Sequence, residues 1–406
     1  MKKAIALLLA VMMMAGCFVG CGSKAASSST AAASTSQAPA NPDKPYEGVT
    51  LHYATTDTAA SGGEMADVVE MVKEKTGINI EFTIMPNPKE GEVDKKLVSL
   101  QAGDELDLVY GTTAQLKNYY NAGVLEPVDE LAAATGYDMK KVFGENLPTY
   151  DDGLTYGLPA FNDIWVTFYN KKIFDDAGVE YPTTEGWTWE KYVETAKKLT
   201  NPDKNIFGSL MLDYDVYNYM LAIQKGAKHY KEDGTSNYDD PLFKESVEFY
   251  YGLGNNEKVQ PDSISFAAGV YPWNSFVATG KADENGNYAN VQIGMFVCGG
   301  WVASMLPAEK YPRDWECGIA PLPYPEGEKP STMAVTGCYA IPTTSKNKEA
   351  AFEALKCIAE NQYTLGYGRV PARKDVSEEE VLKYIEEVMV PTYTADKITT
   401  QMLKDA

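Results

Sequence analysis

The first third of the chain body alternates short apolar runs with stretches of helical periodicity. Three of the apolar runs are typical of β-strands, and they span 49–54, 78–84 and 106–110. Between the first two, apolar residues recur every three or four positions, and Gly77 provides a C-terminal stop. This helical face consists of Met65, Val68, Val69 and Val72. The alternation of strand and helix predicts an α/β fold with a parallel sheet.

Strand character fades near Gly153 and returns later in the chain. The later apolar runs that indicate strands span 165–170, 291–298, 318–323 and 338–342. Between them, Thr188 is placed to cap a helix that turns Trp189 inward. A chain that begins one sheet, leaves it and comes back predicts two lobes. We expect the crossings near Tyr156–Phe161 and Val291–Met295.

One apolar run, Gly294–Met305 (GMFVCGGWVASM), stops at two glycines and resumes with a tryptophan. Met295–Cys298 indicates a strand that is buried on both faces. Gly299 and Gly300 allow the backbone to bend or to approach another segment closely, and a helix is predicted to begin at Trp301. In open α/β sheets, ligands bind at such strand ends beside helix N-termini. The alternative is a tight turn with a core tryptophan.

The N-terminus has the pattern of a secretory signal peptide. Lys2 and Lys3 precede an apolar stretch, 4–16, that is too short to span a bilayer comfortably. Small residues lead into Cys17 and again into Cys21, and both sites resemble the bacterial lipobox. Because a polar tether begins directly after Cys21, we expect that cysteine to carry the lipid, with Cys17 as the alternative. A plain cleaved signal is the other interpretation.

Length and composition divide the remainder into a linker and two lobes. Residues 22–45 contain no Val, Ile, Leu, Met or aromatic residue, which is typical of a flexible linker. About 360 residues follow, more than one hydrophobic core usually serves. The predicted boundaries are a signal peptide at 1–20, a lipidated cysteine with linker at 21–45, a first lobe at 46–156 and 291–358, and a second lobe at 157–290 with C-terminal helices at 359–406.

Charge and motif content narrow the function classes. A net charge of −21 argues against nucleic acid and against an anionic lipid surface as partners. With two histidines and no HExxH, GxSxG or Walker A motif, we expect no catalytic residue, metal or cofactor. The sequence leaves open whether the four cysteines of the body form disulfides. These are Cys298, Cys317, Cys338 and Cys357.

The order of several motifs resembles the family 1 extracellular solute-binding proteins, the sugar receptors of ABC importers. The motifs are YGLPAF at 156–161, FYNKKIFDDAGVEYP at 168–182, GMFVCGGW at 294–301, GIAPLPYPEG at 318–327 and GCYAIPTTSKNKEAAFEALKCIAE at 337–360. The resemblance runs from about Val49 to Arg373 and weakens in the acid-rich segment that follows. It implies the type II periplasmic-binding-protein fold, in which each lobe is a mostly parallel sheet flanked by helices and the ligand lies between the lobes.

The function implied by this resemblance is that of a substrate-binding lipoprotein of an ABC importer. The implied ligand is a carbohydrate, in particular an oligosaccharide, and the implied partners are the transmembrane subunits of a permease. A monomer is expected on the outer face of the cytoplasmic membrane, in contact with the bilayer only through its lipid. Two rival interpretations are a surface glycoside hydrolase and an adhesin or sensor with the same fold.

Aromatic and polar residues at predicted strand ends are the candidate ligand contacts. The 27 tyrosines against 13 phenylalanines suit a wet groove, because a tyrosine ring carries a polar tip. Sugars offer C–H faces to rings and hydroxyls to polar side chains. With the resemblance, Trp301 is expected to stack on the ligand. The other candidates are Thr55, Asp57, Thr112, Thr113, Phe161, Asn162, Trp165, Tyr214, Asp215, Trp273, Gly300 and Arg369.

Several candidates also have a structural interpretation. Trp165 and Trp273 are equally compatible with a cleft and with a core, and Trp187 is placed either to cover the cleft or to pack beneath it. Thr112 and Thr113 are equally suited to terminate a strand. Arg369 either lines the second lobe or binds surface acids.

Overall fold

A computed structural model describes most of the chain from residue 41 onwards. The described residues are 41, 44–56, 63–86, 94–233, 235–267, 275–277, 291–306, 312–392 and 396–405. Residues 41–406 form one unit by their internal contacts. Within the described ranges, no helix is both long and apolar enough to span a membrane.

The described strands form one sheet. They are β1 (Thr50–Thr56), β2 (Asn79–Met85), β3 (Leu108–Thr112), β4 (Leu158–Asn170), β5 (Ile206–Leu210), β6 (Gln292–Gly299), β7 (Cys317–Pro321), β8 (Ala334–Ala340) and β9 (Val370–Pro371). Their order is β2-β1-β3-β8-β4-β6-β5, and β7 and β9 pair with β4. The strands predicted from the apolar runs are all present, with ends shifted by a few residues.

The helices flank this sheet. They are α1 (Gly63–Thr76), α2 (Lys95–Ala102), α3 (Thr113–Asn121), α4 (Asp129–Thr135), α5 (Met139–Phe143), α6 (Lys171–Ala177), α7 (Trp189–Leu199), α8 (Val216–Gln224), α9 (Pro241–Asn255), α10 (Ser263–Ala267), α11 (Lys348–Asn361), α12 (Glu378–Tyr384), α13 (Val390–Thr392) and α14 (Thr400–Asp405). Short 3₁₀-helices span Gly144–Asn146, Pro202–Lys204, Gly300–Met305 and Gln362–Leu365, and a π-helical turn spans Ile385–Met389.

Local signals in the sequence account for where several helices begin and end. The Thr188 side chain accepts a hydrogen bond from the Lys191 N–H at 3.2 Å, so it caps α7 as predicted. Helix α1 ends before Gly77, which has a φ of +76°. Trp189 is buried in the core beneath α7, and Trp187 is buried beside it.

The sheet is mixed, whereas the sequence predicted mostly parallel lobes. Strand β1 is parallel to β2 and β3, and β5 is parallel to β6. Strand β8 is antiparallel to both β3 and β4, and β6 and β7 are antiparallel to β4. Because β4 carries the chain out of one lobe and β8 brings it back, neighbouring strands at the crossing must run in opposite directions.

Two large groups of buried side chains define the two lobes. The first-lobe core lies under α1 and α11 and includes Leu51, Val72 and Phe352. The second-lobe core includes Phe168 and Phe296. A smaller apolar cluster on the first-lobe strands completes the first lobe. Two separate cores leave few residues at the crossings, which is the arrangement that a hinge requires.

The crossing between the lobes lies within β4. Residues Leu158–Ile164 of this strand pair with β8, whereas Trp165–Tyr169 pair with β6. The chain returns to the first lobe between β7 and β8. Strands β6 and β7 therefore belong to the second lobe, which differs from the predicted assignment of 291–358 to the first. The apolar sequence of β6 shows that the strand is buried, but it does not show which lobe it joins.

The C-terminal segment packs on the second lobe, and an ion pair anchors it there. Tyr384, Met389 and Ile398 join the second-lobe core. The Arg313 Nη2 atom lies 2.5 Å from the Asp396 carboxylate, with side-chain exposures of 3% and 2%. The Asp396 carboxylate also accepts the Cys317 N–H at 2.8 Å.

Candidate functional site

One face of β4 carries a row of chemically distinct side chains across the crossing between the lobes. Alternate residues of a strand point to the same face, so Phe161, Asp163 and Trp165 form this row. Phe161 belongs to the first-lobe core, and Trp165 belongs to the second. Asp163 lies between them, next to the crossing.

Asp163 is a buried carboxylate with two partners. Asp163 is 8% exposed. One oxygen accepts the Trp301 backbone N–H at 3.0 Å, and the other lies 3.0 Å from Arg369 Nη1. Burial raises the pKa of Asp163, while Arg369 and the Trp301 N–H act in the opposite direction. The net effect is a raised pKa for Asp163, so burial outweighs the two partners.

The two glycines before Trp301 are required by close contacts. A Cβ atom on Gly299 would lie 2.8 Å from the Asp163 carboxylate and 2.8 Å from the Trp301 ring. A Cβ atom on Gly300 would lie 2.5 Å from the Gly368 carbonyl oxygen. The glycines therefore serve a close approach between segments, which is one of the two roles predicted for them.

Trp301 follows this contact at the start of a short helix. Strand β6 ends at Gly299, and Gly300–Met305 continues as a 3₁₀-helix. The Trp301 side chain is half-buried and packs on the second-lobe core. Contact with the core is therefore observed, whereas stacking of Trp301 on a ligand stays a prediction.

Arg369 connects the first lobe to Asp163. Its Nε atom lies 3.1 Å from Oε1 of Glu64, and its Nη2 atom lies 3.1 Å from Oε2 of the same carboxylate. Glu64 lies at the start of α1. The guanidinium carbon lies 4.3 Å from the centre of the Phe161 ring, which stacks on Tyr110. Burial opposes the charge of Arg369, but Asp163 and Glu64 raise its pKa above the ordinary value. Arg369 binds acids, but Asp163 is buried and Glu64 is part-buried, so neither is the surface acid that was predicted, and contact of Arg369 with a ligand stays a prediction.

Trp165 lies in an aromatic group on the second lobe. Its ring meets Tyr217 edge-on at 5.2 Å and Tyr214 at 6.4 Å between centres. Trp165 is 4% exposed, and its indole nitrogen has no hydrogen-bond partner. Tyr214, at 39% exposed, covers it towards solvent. Asp215 is exposed at the start of α8.

The remaining candidates differ in their availability to a ligand. Thr55 is buried near the end of β1. Thr112 caps α3 through the Gln115 N–H at 3.3 Å, so its hydroxyl has a structural role, and Thr113 is exposed. Asn162 accepts a hydrogen bond from the Thr336 hydroxyl at 2.8 Å. Asp57, Trp273, Cys17 and Cys21 lie outside the described residues.

Three residues of this cluster were not predicted from the sequence: Glu64, Asp163 and Gly368. Asp163 gave a signal, since a carboxylate in a strand rich in apolar residues must find a partner when it is buried. Glu64 and Gly368 gave no comparable signal, because their roles depend on contacts with residues that are distant in sequence.

The cluster combines ionic, hydroxyl and aromatic side chains. Glu64 and Asp163 pair with the same guanidinium. No group of three or more possible metal ligands occurs among the described residues. The four body cysteines are buried free thiols. Aromatic rings beside ionic and hydroxyl groups are suited to bind polar molecules with apolar faces.

A protein-family model for bacterial extracellular solute-binding proteins matches residues 59–364. Two similar proteins are a binding protein of Brucella abortus and the diacetylchitobiose-binding protein of Streptomyces coelicolor. Each is 25% identical to this chain. The alignment with the Brucella protein covers 79% of this chain and 75% of that protein. The alignment with the Streptomyces protein covers 80% of this chain and 72% of that protein.

A solved structure with a similar fold is an ABC substrate-binding protein of Listeria monocytogenes in complex with cycloalternan. The TM-score is 0.69 at 22% identity, and the match covers 88% of this chain and 86% of that one. This likeness supports the two-lobe architecture.

Proposed function

The chain belongs to the bacterial extracellular solute-binding proteins, and we propose that it is the carbohydrate receptor of an ABC importer. The observation that carries this proposal is the row of side chains on β4, which passes from one lobe to the other and meets Trp301 at the crossing. A ligand at this place touches both lobes at once. We propose that this ligand is an oligosaccharide.

The chemistry of the cluster supports a sugar. The half-buried Trp301 ring and the exposed Tyr214 ring offer apolar faces for sugar C–H groups, and Asp215 is an exposed acceptor for hydroxyls. The relative from Streptomyces coelicolor is named for diacetylchitobiose, and the Listeria structure holds a cyclic oligosaccharide. These names support an oligosaccharide for this chain.

In the proposed mechanism, ligand binding closes the two lobes. The lobes have separate cores and are joined through β4 and the β7–β8 connection, so they can rotate without repacking. A ligand stabilises the closed form only through its greater affinity for that form. A shift from mostly open to mostly closed needs about 5 kcal/mol of differential binding. The permease subunits then recognise the closed monomer.

The proposal is tested by titration calorimetry with diacetylchitobiose, maltotriose and cycloalternan, and by solution X-ray scattering with the sugar that binds. Binding should reduce the radius of gyration, and the recovered sugar should be unchanged. Binding without compaction contradicts the hinge, and cleaved sugar indicates a hydrolase. Failure of every sugar to bind contradicts the carbohydrate assignment.

We also propose that Cys21 is the lipidated first residue of the mature protein, after removal of a signal peptide at 1–20. The support is the lipobox-like sequence followed by a polar linker at 22–45. Mass spectrometry of the mature N-terminus should find diacylated cysteine there. Lipid on Cys17 selects the alternative, and an unmodified N-terminus inside the linker contradicts the anchor.

A further inference from the structure

The ion pairs of Arg369 join the first helix of the first lobe to the crossing between the lobes. Glu64 opens α1, and the apolar face of α1 packs in the first-lobe core. Asp163 lies beside the crossing and binds the backbone of Trp301, whose ring packs on the second-lobe core. Arg369 lies between these two carboxylates and contacts both.

Each of the three guanidinium nitrogens contacts a carboxylate of the protein. The Nε and Nη2 atoms donate two parallel hydrogen bonds to the Glu64 carboxylate. The Nη1 atom faces Asp163, and the guanidinium lies over the Phe161 ring. The side chain is 12% exposed. Glu64 is itself held by the Gln362 side-chain amide at 3.0 Å. An arginine that is held on all sides has one orientation, and lysine cannot reproduce a bidentate contact of this kind.

Removal of Arg369 leaves Asp163 as a buried carboxylate without its cation. A buried unpaired charge is costly, so the carboxylate must turn towards water or take up a proton. Either change weakens the acceptor that holds the Trp301 N–H. The neighbouring contact between Gly300 and Gly368, one residue before Arg369, transmits the same disturbance through the backbone.

We propose that Arg369 is a positioning residue: by binding Glu64 and Asp163 together, it fixes the Trp301 turn at the crossing between the lobes. It acts through Asp163 and does not touch the ligand. The role deepens the proposed function, since it assigns a fixed orientation to the ring that is proposed to stack on the sugar.

The test is fluorine NMR of ligand-free protein that carries 5-fluorotryptophan. The Trp301 signal is assigned by its loss in Trp301→Phe. Arg369→Gln should move or broaden this signal, and Arg369→Lys should move it less, because lysine keeps the charge. Glu64→Gln provides a second test that retains the arginine, and it should also move the signal.

The matched control is Arg373→Gln. Arg373 follows in the same segment and pairs with Asp375 at 2.6 Å, so its loss costs a comparable ion pair away from Asp163. An unmoved Trp301 signal in both Arg369→Gln and Glu64→Gln overturns the proposal, as does an equal shift in Arg373→Gln. These outcomes do not depend on any sugar.

A calorimetric measurement with diacetylchitobiose adds the functional consequence. Arg369→Gln should weaken binding by about tenfold or more, the scale of a lost charged hydrogen bond. Unchanged affinity in a variant whose Trp301 signal has moved overturns the importance of this positioning for binding. Absence of binding in the wild type counts against diacetylchitobiose as the ligand and leaves the NMR result to decide the role of Arg369.

Discussion

Gly300→Ala is the substitution that most directly tests the close contact at the centre of the site. The added Cβ would lie 2.5 Å from the Gly368 carbonyl oxygen, whereas real Cβ atoms essentially never come closer than 3.0 Å to a neighbour. The obstacle is backbone, so a side-chain rotation cannot relieve it. Gly300 has no positive φ, and alanine is therefore acceptable to its own backbone. The whole cost comes from pushing two segments apart.

The expected magnitude follows from that displacement. One segment must move by about 0.5 Å or more, and the Gly368 segment is held by the neighbouring ion pairs of Arg369. Overpacking in a tight interior costs about 1–3 kcal/mol. We expect a loss of this size in the free energy of unfolding, together with weaker ligand binding, because the Trp301 turn is displaced.

Urea denaturation followed by intrinsic fluorescence measures this loss, and Gly252→Ala is the control. Gly252 lies inside α9, and a Cβ there meets its nearest neighbour, an Asn256 side-chain atom, at an ordinary 3.6 Å. That substitution should stabilise the protein by about 0.5–1 kcal/mol through helix propensity. A Gly300→Ala variant as stable as the wild type refutes the close-contact interpretation.

Further predictions concern the ring, the C-terminal anchor and the thiols. Trp301→Ala should weaken sugar binding by about 1–3 kcal/mol, with Trp301→Phe less affected, and calorimetry measures both. Asp396→Ala leaves Arg313 as a buried unpaired cation and should cost about 3–5 kcal/mol in urea denaturation, whereas Arg313→Met with Asp396→Leu should recover most of it. Burial raises the pKa of Cys357 to about 11 and that of Cys338 to about 12. At pH 8 the four buried thiols should therefore react with Ellman's reagent only after unfolding. Fast reaction of the native protein contradicts their burial.

Features that depend on neighbours in sequence were predictable. The helical spacing of α1 and the stop at Gly77 come from local backbone and packing preferences, and the structure confirms both. The same holds for Thr188, whose hydroxyl caps α7. The strand that ends at Gly299 and the helical turn at Trp301 were also predictable, although the turn is a 3₁₀-helix.

Features that depend on distant contacts were not predictable. Arg369 and Glu64 are 305 positions apart, and no local pattern marks either as the partner of the other. The lobe to which β6 belongs follows from its pairing with the second half of β4, which requires the three-dimensional register. Thr112 illustrates a third difficulty. It lies both at the end of β3 and at the N-cap of α3, so its position in the sequence does not distinguish a ligand contact from a helix cap.

The charge balance of the site favours a neutral ligand over an anionic one. Glu64 and Asp163 share a single guanidinium, and Asp215 adds an exposed carboxylate beside Tyr214. The chain as a whole carries a net charge of −21, which adds a repulsive field at longer range. A neutral sugar donates hydroxyl hydrogen bonds to carboxylates and covers aromatic rings with its C–H faces, so it gains from both kinds of group. An acidic sugar brings a like charge to the same carboxylates, and three of the five N–H groups of Arg369 already face those carboxylates.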